Sequence, residues 1–187
     1  MNKLQKKKKQ ISTSTMAVVA LMTAVVCVLA PFSIPVGVVP ISLTTFGLYL
    51  AVRILGGKKG ICVCLLYLIM GFVGLPVFSG FAGGPAKLLG PTGGYLIGYL
   101  LLTVIAGFFV DKFPGKKGFC LLGYILGTAA CYLLGTLWLA VLMEIGFGAA
   151  LLIGVAPFLP GDVVKIVVAL WLGEIVSYAL RRAGYRG

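Results

Sequence analysis

Six apolar runs account for most of this chain of 187 residues, and each approaches the ~20 residues that one bilayer crossing takes. They extend over Met16 to Ile34, Ile41 to Leu55, Ile61 to Leu75, Gly94 to Val110, Phe119 to Met143 and Asp162 to Leu180. The second is short and lies between Pro40 and the pair Gly56-Gly57. Proline suits the first turn of a helix and glycine its end. Pro160-Gly161 announces the last run in the same way. Between the fifth and sixth lies Glu144 to Leu159, apolar and glycine-rich, which reads either as a tilted extension or as a re-entrant loop.

A solvent must tolerate this much apolar surface. Hydrophobic residues make up 60% of the chain and charged residues 11%, where a soluble domain carries about 25% charged residues. Lipid is the solvent that fits. Residues 1–10, MNKLQKKKKQ, form a basic cytoplasmic tail, and residues 11–187 form a single six-helix membrane domain. No length is left for an ATPase or a nucleic-acid-binding module. The first run is expected to stay as a helix rather than be cleaved near Ala30. An A-x-A site needs a small residue at position 28, and Val28 stands there.

The distribution of charge sets orientation. Of the 16 Lys and Arg residues, those at 3, 6–9, 53, 58, 59, 112, 116, 117, 181, 182 and 186 precede the first run, follow the last, or border alternate connections between them. The intervening connections hold a single basic residue, Lys87. Cytoplasmic loops carry the excess of Lys and Arg, so an all-α protein of six transmembrane helices is expected, with both termini cytoplasmic. A net charge of +12 arranged in short clusters lacks the one-faced footprint of a nucleic-acid binder.

Prolines show the complementary bias. Pro31, Pro35, Pro40, Pro76, Pro85, Pro91, Pro157 and Pro160 fall at the outward connections, and only Pro114 faces in. Irregular backbone at a membrane is tolerated where it lines a cavity, which points to a pocket opening outward. Short rigid connections would give the same bias. Small residues spaced by four, as in Ala20-x-x-x-Ala24, Gly90-x-x-x-Gly94, Gly94-x-x-x-Gly98 and Gly123-x-x-x-Gly127, let helices approach closely in lipid.

Ionisable groups inside a membrane are expensive and default to functional candidates. Asp162 and Lys165 stand three apart and share one helix face. Asp162 also lies at a helix start, where the macrodipole favours an anion. Two readings stand: a ligand site offering an acceptor beside a cation, or a local ion pair that stabilises the turn. Glu174 lies on the opposite face and can pair with Arg181 or with another subunit, while Glu144 and Lys87 belong to the outer surface. Ser42, Thr44, Thr45, Phe46, Phe78, Ser79 and Tyr95 gather in the same outward zone, and a few polar groups among apolar ones suit a small organic ligand.

Enzymatic chemistry finds no footing. Histidine is absent, and with it the commonest general base and metal ligand. The five cysteines lie within apolar runs without C-x-x-C spacing. Cys62 and Cys64 point about 200° apart on a helix of 3.6 residues per turn. No nucleophile elbow, zinc-protease helix or Walker phosphate loop occurs. No metal, cofactor or catalytic residue is expected.

Four segments carry a resemblance: Pro40-Ile-Ser-Leu-Thr-Thr-Phe-Gly47, Gly74-Leu-Pro-Val-Phe78, Leu89-Gly-Pro-Thr-Gly-Gly-Tyr95 and Phe158-Leu-Pro-Gly-Asp-Val-Val-Lys165. With Ala20-Leu-Met-Thr-Ala24 in the first run, the chain resembles the BioY family along nearly its whole length. These are the biotin-specific substrate-binding (S) components of energy-coupling factor vitamin transporters. The resemblance implies a bacterial plasma-membrane protein that takes up biotin with a transmembrane T component and two ATP-binding cassette ATPases. It implies that Asp162 binds the ureido N–H groups and Lys165 the valerate carboxylate, and that Tyr95 and Phe46 line the apolar part of the pocket. Thr44 and Ser79 are further candidates, and Ala20 and Ala24 would meet the T component. One position departs: the family usually carries glutamine where Thr44 stands. An S component for another vitamin and a purely structural membrane subunit are the competing readings.

Overall fold

The computed structural model describes residues 13–184. The basic tail at 1–10 and Arg186 lie outside the described residues. Helix α1 runs over Thr13–Leu29 and stops short of the expected Ile34, because Pro31 lacks the N–H that a further turn needs. Ser33–Ile34 instead forms strand β1, paired antiparallel with β2 at Ile41–Ser42. The second helix, α2, therefore begins at Thr44 and ends at Leu55. Pro40 precedes a strand and not a helix, which corrects the sequence expectation.

Helix α3 follows at Gly57–Phe72 after a one-residue break. Gly56 makes the turn with φ +83°, and a Cβ there would lie 2.8 Å from the Asp111 carboxylate. Only glycine combines that conformation with that clearance. Lys58 and Lys59 thus sit in the first turn of α3 rather than in a loop. A five-residue helix, α4, covers Pro85–Leu89. The long pair α5 (Gly93–Lys112) and α6 (Lys117–Met143) comes next. Glu144 closes α6 in a left-handed conformation, φ 54°, and a separate short helix, α7, spans Phe147–Gly154. Neither a tilted extension nor a plain re-entrant loop describes this segment. Helix α8 covers Leu159–Arg182, beginning three residues ahead of Asp162.

Among the described residues, α5, α6 and α8 are by length and composition able to cross a membrane, while α1 and α2 are shorter apolar helices. Exposed aliphatic side chains cover the outside, with Val73 75% and Val141 80% exposed. Hydroxyl-bearing Tyr49, Tyr67 and Tyr124 are instead fully buried. This arrangement, apolar outward and polar inward, is that of a membrane protein.

Close backbone approach holds the bundle together. Helices α5 and α6 pack antiparallel, with Gly98 against Cys131 and Gly127 against Leu102, as their four-residue spacings suggested. Gly90 caps α4, where a Cβ would meet the Ala86 and Lys87 carbonyls and no atom of α6. Gly57 and Gly107 let α3 cross α5 so tightly that a Cβ on Gly107 would lie 2.4 Å from the Gly57 Cα. The basic helix ends converge at one end of the bundle. There the Gly57 N–H donates to Asp111 Oδ1 at 2.9 Å, and the Ser177 hydroxyl donates to the Arg53 carbonyl at 3.3 Å. Glu174 pairs with Lys117 at 2.7 Å, not with Arg181. The hairpin, the 73–92 segment and α7 occupy the other end.

Candidate functional site

Helix α8 begins at the hairpin end of the molecule, and its first turns deliver two charges to the interior. Asp162 Oδ1 accepts from Lys165 Nζ at 2.8 Å, with the two side chains only 7% and 11% exposed. The other carboxylate oxygen, Oδ2, accepts the phenol of Tyr132 from α6. Lys165 also reaches Thr45 Oγ1 on α2 at 3.5 Å. The Lys117–Glu174 pair is largely exposed, whereas Asp162–Lys165 is buried. A buried pair is a weak source of stability, since desolvation offsets much of the attraction. Burial with converging partners is what a binding site needs.

A cavity of about 40 Å³ opens against this pair. Val39, Pro40 and Ser42 of the hairpin form one wall, and Tyr95, Tyr99 and Leu102 of α5 form another. Thr128, Cys131 and Tyr132 of α6 face them, and Gly154 and Phe158 close the side next to α8. Tyr95 is held rigidly: its hydroxyl donates to the Gly154 carbonyl at 3.0 Å, and its ring lies flat on Gly135. Beneath the cavity, Tyr49 and Thr128 share a hydroxyl hydrogen bond, and the Tyr124 phenol donates to the Tyr49 carbonyl at 3.0 Å. The hydroxyls of Tyr49, Tyr124 and Thr128 are thereby satisfied within the protein, which favours a unique arrangement.

The LGPTGGY segment owes its glycines to packing. A Cβ on Gly94 would lie 2.3 Å from Trp138 Cβ, and Trp138 Nε1 donates to the Gly90 carbonyl at 3.0 Å. The two contacts hold the start of α5 against α6 and so aim Tyr95 into the cavity.

The sequence candidates divide. Asp162, Lys165, Tyr95, Ser42 and Thr45 come together around the cavity. Thr44 is buried one step behind it, with its hydroxyl 2.9 Å from that of Ser42. Phe46 packs against the main hydrophobic core. Ser79 is half-buried in the connection after α3, and its neighbour Phe78 sits on Gly71 with its ring edge-on to Tyr67. Ala20 and Ala24 lie exposed on α1.

Tyr132, Tyr99, Thr128, Cys131 and Phe158 escaped the sequence reading. A signal for most of them existed. Tyr124, Thr128, Tyr132 and Thr136 recur every fourth residue in an otherwise apolar run, as do Tyr95, Tyr99 and Thr103. Such a stripe marks one helix face and belongs inside a bundle when lipid surrounds it. Among the described residues, no group of three or more metal-ligating side chains gathers.

The sequence pattern of the BioY family matches residues 3–182. This chain belongs to the BioY family. A probable biotin transporter BioY of Pyrococcus horikoshii is 40% identical over 84% of this chain and 93% of its own length. Biotin transporter BioY2 of Lactococcus lactis is 32% identical over 89% and 91%, and the BioY of Thermotoga maritima 37% identical over 80% and 87%. The fold agrees as well. The crystal structure of an S-component for biotin from an ECF-type ABC transporter superimposes with a TM-score of 0.81, at 30% identity, covering 95% of this chain and 96% of that one. Of the four segments that carried the resemblance, those at 40–47, 89–95 and 158–165 contribute lining residues to the Asp162–Lys165 cavity, and Gly74 to Phe78 does not.

Proposed function

We propose that this chain is a biotin-binding S component that takes biotin from outside the cell and releases it inward. The observation that carries this reading is the buried Asp162–Lys165 pair, capped by Tyr132 in an aromatic-lined cavity of a BioY-family chain. Biotin offers two ureido N–H donors at one end and a carboxylate at the other. A carboxylate has about four acceptor positions. Asp162 therefore keeps room for N–H donors beside Tyr132 and Lys165. The Lys165 ammonium has three donors and answers the acid tail. Tyr95, Tyr99 and Phe158 supply faces for the fused rings.

Small-molecule sites hold roughly 300–1,000 Å³, so a cavity of about 40 Å³ must widen to admit biotin. The parts free to yield are the hairpin turn at Val39 and Pro40 and the turn from Gly154 to Phe158, which carry no long helix. Movement of the hairpin and of the connection after α3 would bring Thr44, Phe46 and Ser79 within reach of the ligand.

The six long helices α1, α2, α3, α5, α6 and α8 cross the bacterial plasma membrane in this reading, with both chain ends cytoplasmic. Helix α2, at 12 residues, covers about 18 Å of a hydrocarbon core of ~30 Å. The hairpin before it completes the passage, and irregular backbone is tolerated there because it lines the cavity. No catalysis is assigned. Energy comes from partners, a T component and two ATPases, since this chain carries no nucleotide-binding loop. Ala20 and Ala24, small and exposed on α1, let another helix approach closely and form the contact for the T component.

Equilibrium binding of labelled biotin to the detergent-purified protein tests the reading, alongside Asp162→Asn and excess thiamine and riboflavin. Tight binding that only unlabelled biotin displaces and that the variant lacks is expected. Absence of binding by well-folded protein overturns it.

A further inference from the structure

At the basic end of the bundle, far along α8 from Asp162, a second and larger hollow of about 580 Å³ lies between the ends of α2, α5 and α8 and the turn into α6. Arg53 and Arg181 line it, together with Ser177, Gly56, Asp111 and Pro114. Neither arginine has an ion-pair partner among the described residues. The one nearby acid besides Asp111 is Glu174, which pairs with Lys117 and also feels the charge of Arg53 without bonding to it. Asp111 spends Oδ1 on the Gly57 N–H. Arg182, on the same turn, stacks over Tyr178. Positive charge therefore exceeds negative charge around the hollow.

Arg53 carries the stronger signal. Its stem packs so closely on α8 that a Cβ on Gly173 would lie 2.6 Å from Arg53 Cγ, and its Nε is buried without a hydrogen-bond partner. A buried donor left unmade costs about 1–3 kcal/mol, more when charged. That cost is removed if an acceptor from outside the chain completes the site. Two arginines lining one hollow suit an oxyanion with several acceptor oxygens, since arginine forks fit phosphate bidentately.

We infer that this hollow binds a phosphate group through Arg53 and Arg181. Two sources have that chemistry: the headgroup of a membrane phospholipid and a soluble phosphate ester. The hollow sits at the helix ends, where a bilayer spanned as proposed above would place its phosphates.

The test uses the full chain, purified and stripped of lipid, with retained adducts counted by native mass spectrometry and melting temperature followed in parallel. The probes are dioleoylphosphatidylglycerol, dioleoylglycerol with the same chains and no phosphate, and glycerol 3-phosphate. Phosphatidylglycerol is expected to bind and stabilise while dioleoylglycerol does not, and Arg53→Gln and Arg181→Gln should each weaken binding about tenfold. Glycerol 3-phosphate binding that the same variants weaken would support the site and identify the soluble source. Phosphate-independent binding, or binding unchanged in both variants, overturns the inference. Arg181 is exposed at the helix end, so its variant carries the test if Arg53→Gln fails to fold. Biotin binding measured on Arg181→Gln should match the unmodified protein, which separates failure here from failure of the function proposed above.

Discussion

Tyr132 on α6 and Asp162 on α8 are 30 residues apart in sequence, and the phenol of one donates to Oδ2 of the other. Lys165 holds Oδ1 of the same carboxylate. The carboxylate is thereby anchored from two helices and faces the cavity in a single orientation. Hydrogen bonds to a charged group contribute ~1.5–3 kcal/mol, and preorganisation of this kind lowers the ordering cost of binding.

Tyr132→Phe removes the donor and keeps the ring. Biotin affinity should fall by about tenfold, and because the free protein already makes this buried bond the melting temperature should fall as well. Isothermal titration on the variant beside the unmodified protein checks this, and unchanged affinity would refute the anchoring role.

Lys165→Met leaves the Asp162 carboxylate buried with no cation beside it. Breaking a buried pair from one side costs about 3–5 kcal/mol, so thermal unfolding in detergent should shift down clearly. Asp162→Asn combined with Lys165→Met removes both charges and should restore much of the loss, while biotin binding stays absent. Equal melting temperatures for the single and double variants would contradict the coupling.

Gly135→Val tests how Tyr95 is positioned. Even a Cβ at Gly135 would lie 2.3 Å from Tyr95 Cδ1, so the ring must leave its place and the bond to the Gly154 carbonyl must break. Overpacking of this kind costs typically ~1–3 kcal/mol. Reduced stability together with weakened biotin binding is expected, and retention of both would show that α5 and α6 can separate without consequence.

Orientation is open to direct labelling. In a cysteine-free background, Gly146→Cys in the α6–α7 connection should react on intact cells with a membrane-impermeant maleimide. Gly115→Cys in the α5–α6 turn should react only after the cells are opened. The reverse pattern would place the basic end outside.

Much of the architecture was legible in the residue order. The apolar runs predicted α1, α2, α3, α5, α6 and α8, and Asp162 and Lys165 stood out as charges that lipid does not tolerate without a reason. The misplacements have local causes. Pro31 ends α1 early, and Ile41 and Ser42 join β1 across a hairpin that no periodicity announces in two-residue strands. Tyr132 stands in the four-residue stripe of α6, but its meeting with Asp162 of α8 is not contained in the spacing of one helix.

The sequence by itself determined which runs are apolar enough to favour lipid and which charges stand within them. Those properties are local: transfer into lipid acts on each run separately, and each run reports its own hydropathy. Only the tertiary structure decided which side chains meet. The partners of Asp162 come from α6 as well as α8, and Arg53 and Arg181 line one hollow from separate helices. These meetings depend on how closely the helices approach, as at Gly57 with Gly107 and Gly98 with Cys131, and such approach is a property of pairs of helices that no single run contains.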